Sequence, residues 1–168
     1  MSGDSPDIRL AHPENAPAIA AMLARLAEEL GESDHFSTTA GTISAHGFGP
    51  SAAFSTMIAG PADALTGLAL FFRHFSTLRG APGAYVQDLW VAPDQRSQHL
   101  GQRLLAAVAA HAATAWGAAY LALTVHDTNP GATRFYDRLG FNTYPGARLM
   151  VLPGPAFHTL SDTMKARP

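Results

Sequence analysis

The stretch Tyr85–Leu105, YVQDLWVAPDQRSQHLGQRLL, constrains this chain more than any other. An apolar strand is expected to end at Val91, a Pro-Asp turn follows, and polar residues lead into an apolar helix from about Leu100 to Trp116. A compact apolar strand, Tyr120–Val125, comes next. With the helix as crossover, the two strands run parallel in a right-handed βαβ unit. No Asp or Glu occurs between Asp94 and Asp127. A helix N-terminus carries about half a positive charge and usually attracts carboxylates. Here Arg96, His99 and Arg103 stand there instead, an unfavourable arrangement unless an anion belongs in the gap, held by free N–H groups and arginine. The segment therefore points to a phosphate-bearing ligand.

The rest of the chain supplies antiparallel strands first. Ile8–Leu10 reads as a short strand. Asn15 is expected to cap a helix with the apolar stripe Ile19, Met22, Leu23, Leu26 and Leu30, which Gly31 stops. A second helix around Thr39–His46 is closed by Gly47-Phe48-Gly49. Phe54–Ile58 and Leu65–His74 form a hairpin through the turn Pro61-Ala62-Asp63, and a loop at Ser76–Gly83 leads into the strand Ala84–Val91. Beyond the βαβ unit, Asn129 and Pro130 fit the cap and first position of a short helix through Leu139, with Gly140 after it. Phe141–Tyr144 and Arg148–Leu152 are expected to pair as the last strands. This order describes a mixed α/β (α+β) fold with a mostly antiparallel central sheet and helices on both faces, in one domain over 1–168.

Bulk properties bound the function. A chain of 168 residues buries roughly 70% of its unfolded surface. With 47% apolar and 14% charged residues it is too apolar for disorder. A net charge of -2 argues against a nucleic-acid partner, which needs a basic face. The absence of cysteine excludes disulfides, thiol nucleophiles and thiolate metal sites. The N-terminus MSGDSPDIRLAHPEN lacks a basic n-region and apolar core, and no run approaches 18 apolar residues. A cytoplasmic protein with no membrane partner is the expectation. Every basic residue except Lys165 is arginine and alanine is abundant, as in a GC-rich bacterial genome. The histidine spacings offer no HExxH pair, no Gly-x-Ser-x-Gly elbow is present, and no Gly-x-Gly-x-x-Gly follows the first strand. No metal is therefore expected.

Two segments carry a resemblance: VAPDQRSQHLGQRLL at 91–105 and NPGATRFYDRLGF at 129–141. Together, and on the expected elements, they resemble the GCN5-related N-acetyltransferases, the GNAT family. The first resembles that family's acetyl-CoA loop, Arg/Gln-x-x-Gly-x-Gly/Ala, and the second its Asn…Phe-Tyr…Gly-Phe segment. Gly47-Phe48-Gly49, Phe71-Phe72 and Tyr85-Val86-Gln87-Asp88-Leu89 are nearest to diamine (spermidine/spermine-type) acetyltransferases. The resemblance implies acetyl-CoA as co-substrate, a small primary amine as acceptor and a homodimer, with the edge at Arg148–Leu152 for pairing. It places the pyrophosphate on Arg96, Ser97, Gln98, His99, Leu100, Gly101 and Gln102. It places the pantetheine arm along Leu89, Trp90 and Val91 and near Asn129, Pro130, Gly131 and Ala132. One departure stands out. His99 replaces the first loop glycine, a residue that tolerates strained angles. Histidine can still donate its N–H from a helical conformation, and weaker or displaced cofactor binding is the expected cost.

Tyr136 matches the family tyrosine that protonates the departing thiolate, although a phenol of pKa about 10 lends a proton only weakly to a thiolate whose conjugate acid has a pKa of roughly 8.5. The base stays open. The diamine enzymes carry glutamate where this chain has Gln87. Asp88 points to the opposite face if the strand alternates; His126, Asp127 or a water chain are the other choices. Glu28, Glu29, Glu32 and Asp34 cluster at the exit of the first helix, as a cationic acceptor or a solvated helix end would have them. The rival class is a non-catalytic acyl-CoA-binding or regulatory module, which His99 and Gln87 favour and Tyr136 opposes.

Overall fold

A computed structural model describes residues 6–146 and 148–162; residues 1–5 of the N-terminal segment lie outside it. It divides into two compact units, Met1–Thr128 and Asn129–Pro168. The first holds a five-stranded sheet in the order β1 (Ile8–Leu10), β2 (Ser55–Ala59), β3 (Gly67–Ser76), β4 (Ala81–Val91) and β5 (Leu121–Leu123). Neighbours β1 to β4 are antiparallel, and β5 runs parallel to β4. Helices α1 (Ala16–Leu30), α2 (Ala40–His46) and α3 (Leu100–Trp116) pack on this sheet. The mixed, mostly antiparallel fold expected from the sequence is the one observed. Among the described residues no helix is long and apolar enough to cross a membrane.

Strand alternation distributes the core between two faces. Ile58, Leu68, Leu70 and Trp90 point to α1 and α2, where they meet Ile19, Met22, Leu23 and Ile43. On the other face lie Met57, Ala69 and Phe71, against α3 with its buried Leu104, Leu105 and Val108. Phe71 is fully buried and sets its ring edge-on to His111 and parallel to Trp116. Truncating it to alanine would cost roughly 3–5 kcal/mol. At Gly83, on β4, an added Cβ would run into the Tyr120 ring, so only glycine fits.

Local signals located α1 and α2 correctly, with two refinements. Gly31 closes α1 in a left-handed conformation at φ 72°. Thr39 caps α2 by accepting from the Thr42 N–H. Asn15 precedes α1 but does not cap it with its side chain: the Oδ1 turns back to accept from the His12 N–H at 2.8 Å, closing a 3-10 turn over Pro13–Asn15. The expected loop at Ser76–Gly83 is in fact a tight turn at 77–80 between two long strands. Pro82 did not prevent this.

The second unit contains α4 (Pro130–Arg138) and α5 (Gly154–Asp162). The expected strand pair Phe141–Tyr144 and Arg148–Leu152 does not form. A strand exists only through a ladder partner; these apolar residues carry the right composition without one, and Leu149, Met150 and Val151 stand exposed. Pro153 then starts α5, whose Phe157 N–H bonds to the Pro153 carbonyl.

Candidate active site

In the first unit the candidate residues rest on β4. Its ladder with β3 slips once: Leu70 faces Asp88 while Phe71 faces Val86, so Gln87 is an extra residue with no partner on β3. Such a bulge resets the alternation of the strand that carries it. Above it, Tyr85 lies opposite Phe72 and stacks on its ring at 5.1 Å. Below it, Asp88 lies opposite Leu70 and Trp90 opposite Leu68. Leu68, Leu70 and Phe72 alternate onto the α1 face, so Tyr85, Asp88 and Trp90 share that face. Simple alternation would have sent Tyr85 and Asp88 to opposite sides.

At the same point β4 leaves β5. Their pairing ends at Val86 and Leu123, and β4 continues to Val91 without a ladder on that side. The base of the fork is pinned by the Tyr85 hydroxyl, 2.6 Å from the Thr124 hydroxyl. Among the described residues Leu89, Trp90 and Val91 therefore run beyond any ladder with β5, and the Val91 carbonyl accepts from Arg96.

Past Val91 the chain makes a 3-10 turn over Pro93–Gln95 and enters a contorted stretch. Ser97 and His99 both adopt positive φ, 66° and 60°, and α3 begins at the buried Leu100. Left-handed backbone costs a non-glycine residue roughly 1–2 kcal/mol. The right-handed helical conformation anticipated for His99 is thus corrected: the backbone keeps the angles a glycine would take, and the loop follows its path under strain. The N–H groups of Leu100, Gly101 and Gln102 open the helix, where no intrahelical acceptor exists. Its first turn holds no acidic residue.

Both arginines expected to face an anion have donors engaged by protein groups. Arg96 Nε donates to the Val91 carbonyl at 2.9 Å, and its Nη2 donates to both Glu29 oxygens at 2.7 and 2.6 Å. Arg103 donates to the Pro6 carbonyl at 2.9 Å. Gln98 folds back onto the Asp94 carbonyl.

Three groups were weighed as bases. Asp88 is half-buried, and burial pushes its carboxyl from 3.8 up to about 6. Among the described residues its side chain has no hydrogen bond or ion pair. His126 stands 3.8 Å from Glu32 at the exposed end of β5. Asp127 follows it, exposed. Of the acidic cluster at the exit of α1, Glu29 pairs with Arg96 and Glu32 lies beside His126.

In the second unit, Asn129 caps α4 by accepting from the Ala132 N–H at 3.0 Å, with Pro130 in the first position and Gly131 and Ala132 in the opening turn. Tyr136 sits between Phe135 and Phe141, both edge-on at 5.2 and 5.4 Å. Burial raises its hydroxyl from 10.0 to about 12. Sequence reasoning singled out Glu29 only as part of an acidic cluster and missed its bonds to Arg96 and Trp90, the Thr124 contact and the bulge; each depends on a partner far along the chain.

Residues 28–141 match the family model described as acetyltransferase (GNAT) family. The chain belongs to that family of N-acetyltransferases. It is similar to L-ornithine N5-acetyltransferase of Arabidopsis thaliana, 29% identical over 96 residues, which is 57% of this chain and 42% of that protein. The chain therefore matches less than half the length of that relative. It is also similar to thialysine N-epsilon-acetyltransferase of Bos taurus, 29% identical over 143 residues, 79% of this chain and 82% of the other. In fold it resembles an integron cassette protein from the mobile metagenome of V. cholerae, with a TM-score of 0.76 at 20% identity, covering 95% of this chain and 99% of that one.

Proposed function

We propose that the protein transfers the acetyl group of acetyl-CoA to a primary amine on a small molecule, with the whole chain as one catalytic domain in the bacterial cytoplasm. The observation that carries this is the fork in the sheet followed directly by an acid-free helix start. The edge of β4 at Leu89–Val91, beyond the β5 ladder, suits the amides of a pantetheine arm. The N–H groups of Ser97–Gln102 suit a pyrophosphate, and Asn129–Ala132 offer a second grip on the arm.

In this reading the neutral amine attacks the thioester carbonyl, a C–N bond forms, and the C–S bond then breaks with its electron pair leaving on sulfur. Backbone N–H groups of β4 polarise the carbonyl. Tyr136 keeps its proton at any physiological pH, since its hydroxyl titrates at about 12. It stabilises the leaving thiolate chiefly as a hydrogen-bond donor, because full transfer to a thiolate whose thiol has a pKa of roughly 8.5 is uphill. Asp88, on the α1 face and with no side-chain partner among the described residues, is the carboxylate we assign to the acceptor's ammonium and proton. The relatives are named for ornithine and thialysine, so an amino-acid-like or diamine acceptor is the finer assignment.

Calorimetry with acetyl-CoA and a thiol-release assay over a panel of diamines and basic amino acids test the proposal. Binding with turnover of one of these amines is expected. Binding with no turnover of any amine would instead favour the acyl-CoA-binding module, and no binding at millimolar acetyl-CoA would end both.

A further inference from the structure

The assignment of Arg96 to the pyrophosphate meets a competing arrangement across the fold. Glu29, near the end of α1, is not a loose surface charge. Its Oε1 accepts from Trp90 Nε1 at 3.1 Å, and the Trp90 ring is 3% exposed with the Arg25 guanidinium over its face at 6.0 Å. A buried donor thus holds the same carboxylate that Arg96 meets. Arg96 then docks on both its oxygens and on the carbonyl of Val91, joining α1, the end of β4 and the loop in one set of bonds. The next residue is Ser97, the first of the two strained positions. At the far side the buried Leu100 anchors the start of α3. Strained backbone persists only where its surroundings over-determine it, and these two anchors bracket Ser97–His99.

We infer that Glu29 is a positioning residue for the acetyl-CoA loop: it holds the Arg96 guanidinium as a clamp, and the clamp keeps the loop N–H groups converged. Arg96 then serves the pyrophosphate through the backbone it fixes, not through its side chain. The inference rests on the acetyl-CoA reading, yet the clamp itself is testable without ligand.

Hydrogen exchange of the amides in 96–102, followed by mass spectrometry in the ligand-free protein, gives one arm; acetyl-CoA affinity by calorimetry gives the other. Glu29→Ala and Arg96→Ala should each speed exchange there. Each should raise the Kd for acetyl-CoA about tenfold, equivalent to 1.4 kcal/mol. The double variant should be no weaker than either single one, because both remove the same link. Were Arg96 a direct phosphate ligand, Glu29→Ala would leave the Kd unchanged or lower it by freeing the guanidinium; that result overturns the clamp, as does unaltered exchange. Glu29→Gln, which retains the Trp90 bond, keeps the test open if alanine unfolds the chain, with faster exchange and a smaller loss of affinity expected. A wild-type protein that binds no acetyl-CoA would refute the functional reading and leave the exchange arm to decide the clamp.

Discussion

Replacing Asp88 with asparagine probes the unpartnered carboxylate in two independent ways. Its carboxyl titrates at about 6 in the folded chain against 3.8 unperturbed. Between those values the folded protein holds the proton that the unfolded chain has released. The protonated form therefore contributes stability fully below pH about 4, and that contribution is lost as pH rises through 6. Converted at about 1.4 kcal/mol per pH unit, the gap gives a ceiling of roughly 3 kcal/mol. The side chain is partly open to solvent, so about 1–2 kcal/mol is the expected size. Asparagine approximates the neutral acid. Urea unfolding should find Asp88→Asn more stable than wild type by that amount at pH 7.5 and equal to it at pH 4. Stability curves that stay parallel from pH 4 to 8 would refute the burial argument. Activity supplies the second reading. If Asp88 takes the acceptor's proton, kcat/KM for the amine rises through an apparent pKa near 6 in wild type. The asparagine variant should lose that limb and fall by about 10²–10⁴-fold. Unchanged kcat/KM would remove Asp88 from the chemistry and leave the stability argument standing.

Tyr136→Phe keeps the ring among Phe135 and Phe141 while deleting the hydroxyl; steady-state kinetics should show kcat lower by about 10²-fold or more with KM for acetyl-CoA nearly unchanged. Equal rates would make the tyrosine structural. His99→Gly should relieve a left-handed residue worth roughly 1–2 kcal/mol, offset by about 0.5–1 kcal/mol of added freedom in the unfolded chain. Thermal melts should rise by about 2–4 °C with acetyl-CoA affinity kept or improved, and a tenfold loss of affinity would show the imidazole to be a ligand. The exposed run at Leu149–Val151 is an apolar patch of the kind that marks association; light scattering at micromolar concentration should give a homodimer, and a monomer would withdraw that assembly.

What could be read from the chain divides along a physical line. Helices declare themselves through a local period and local end signals, so α1, α2, α3 and α4 came out with boundaries close to those observed. The parallel placement of β5 followed from the helix between it and β4. The expected strands at the end of the chain did not form, because Phe141–Tyr144 and Arg148–Leu152 have strand composition but pairing is a property of two segments together, and these two make no ladder. Asn15 has a cap residue's chemistry, and its oxygen is spent on the preceding turn.

The candidate site shows the same division more sharply. The acid-free start of α3 and the cap at Asn129 are local and were legible. Gln87 carries no glycine or proline to announce a bulge; only the register between Leu70 and Phe71 reveals it, and that register alone moves Asp88 onto the face of Tyr85. Glu29 and Arg96 lie 67 residues apart, and neither has a neighbour in sequence that forecasts the other. His99 is the instructive middle case. The family resemblance flagged it as a residue in glycine's place, yet the resemblance could not say whether the loop would bend to suit the side chain or the side chain would suffer the loop. The loop prevailed: anchors on both sides, the Arg96 bonds and the buried Leu100, outweigh about 1–2 kcal/mol of backbone strain. A sequence that keeps such a conformation without the residue that makes it easy is holding the geometry of its N–H groups above the comfort of its backbone.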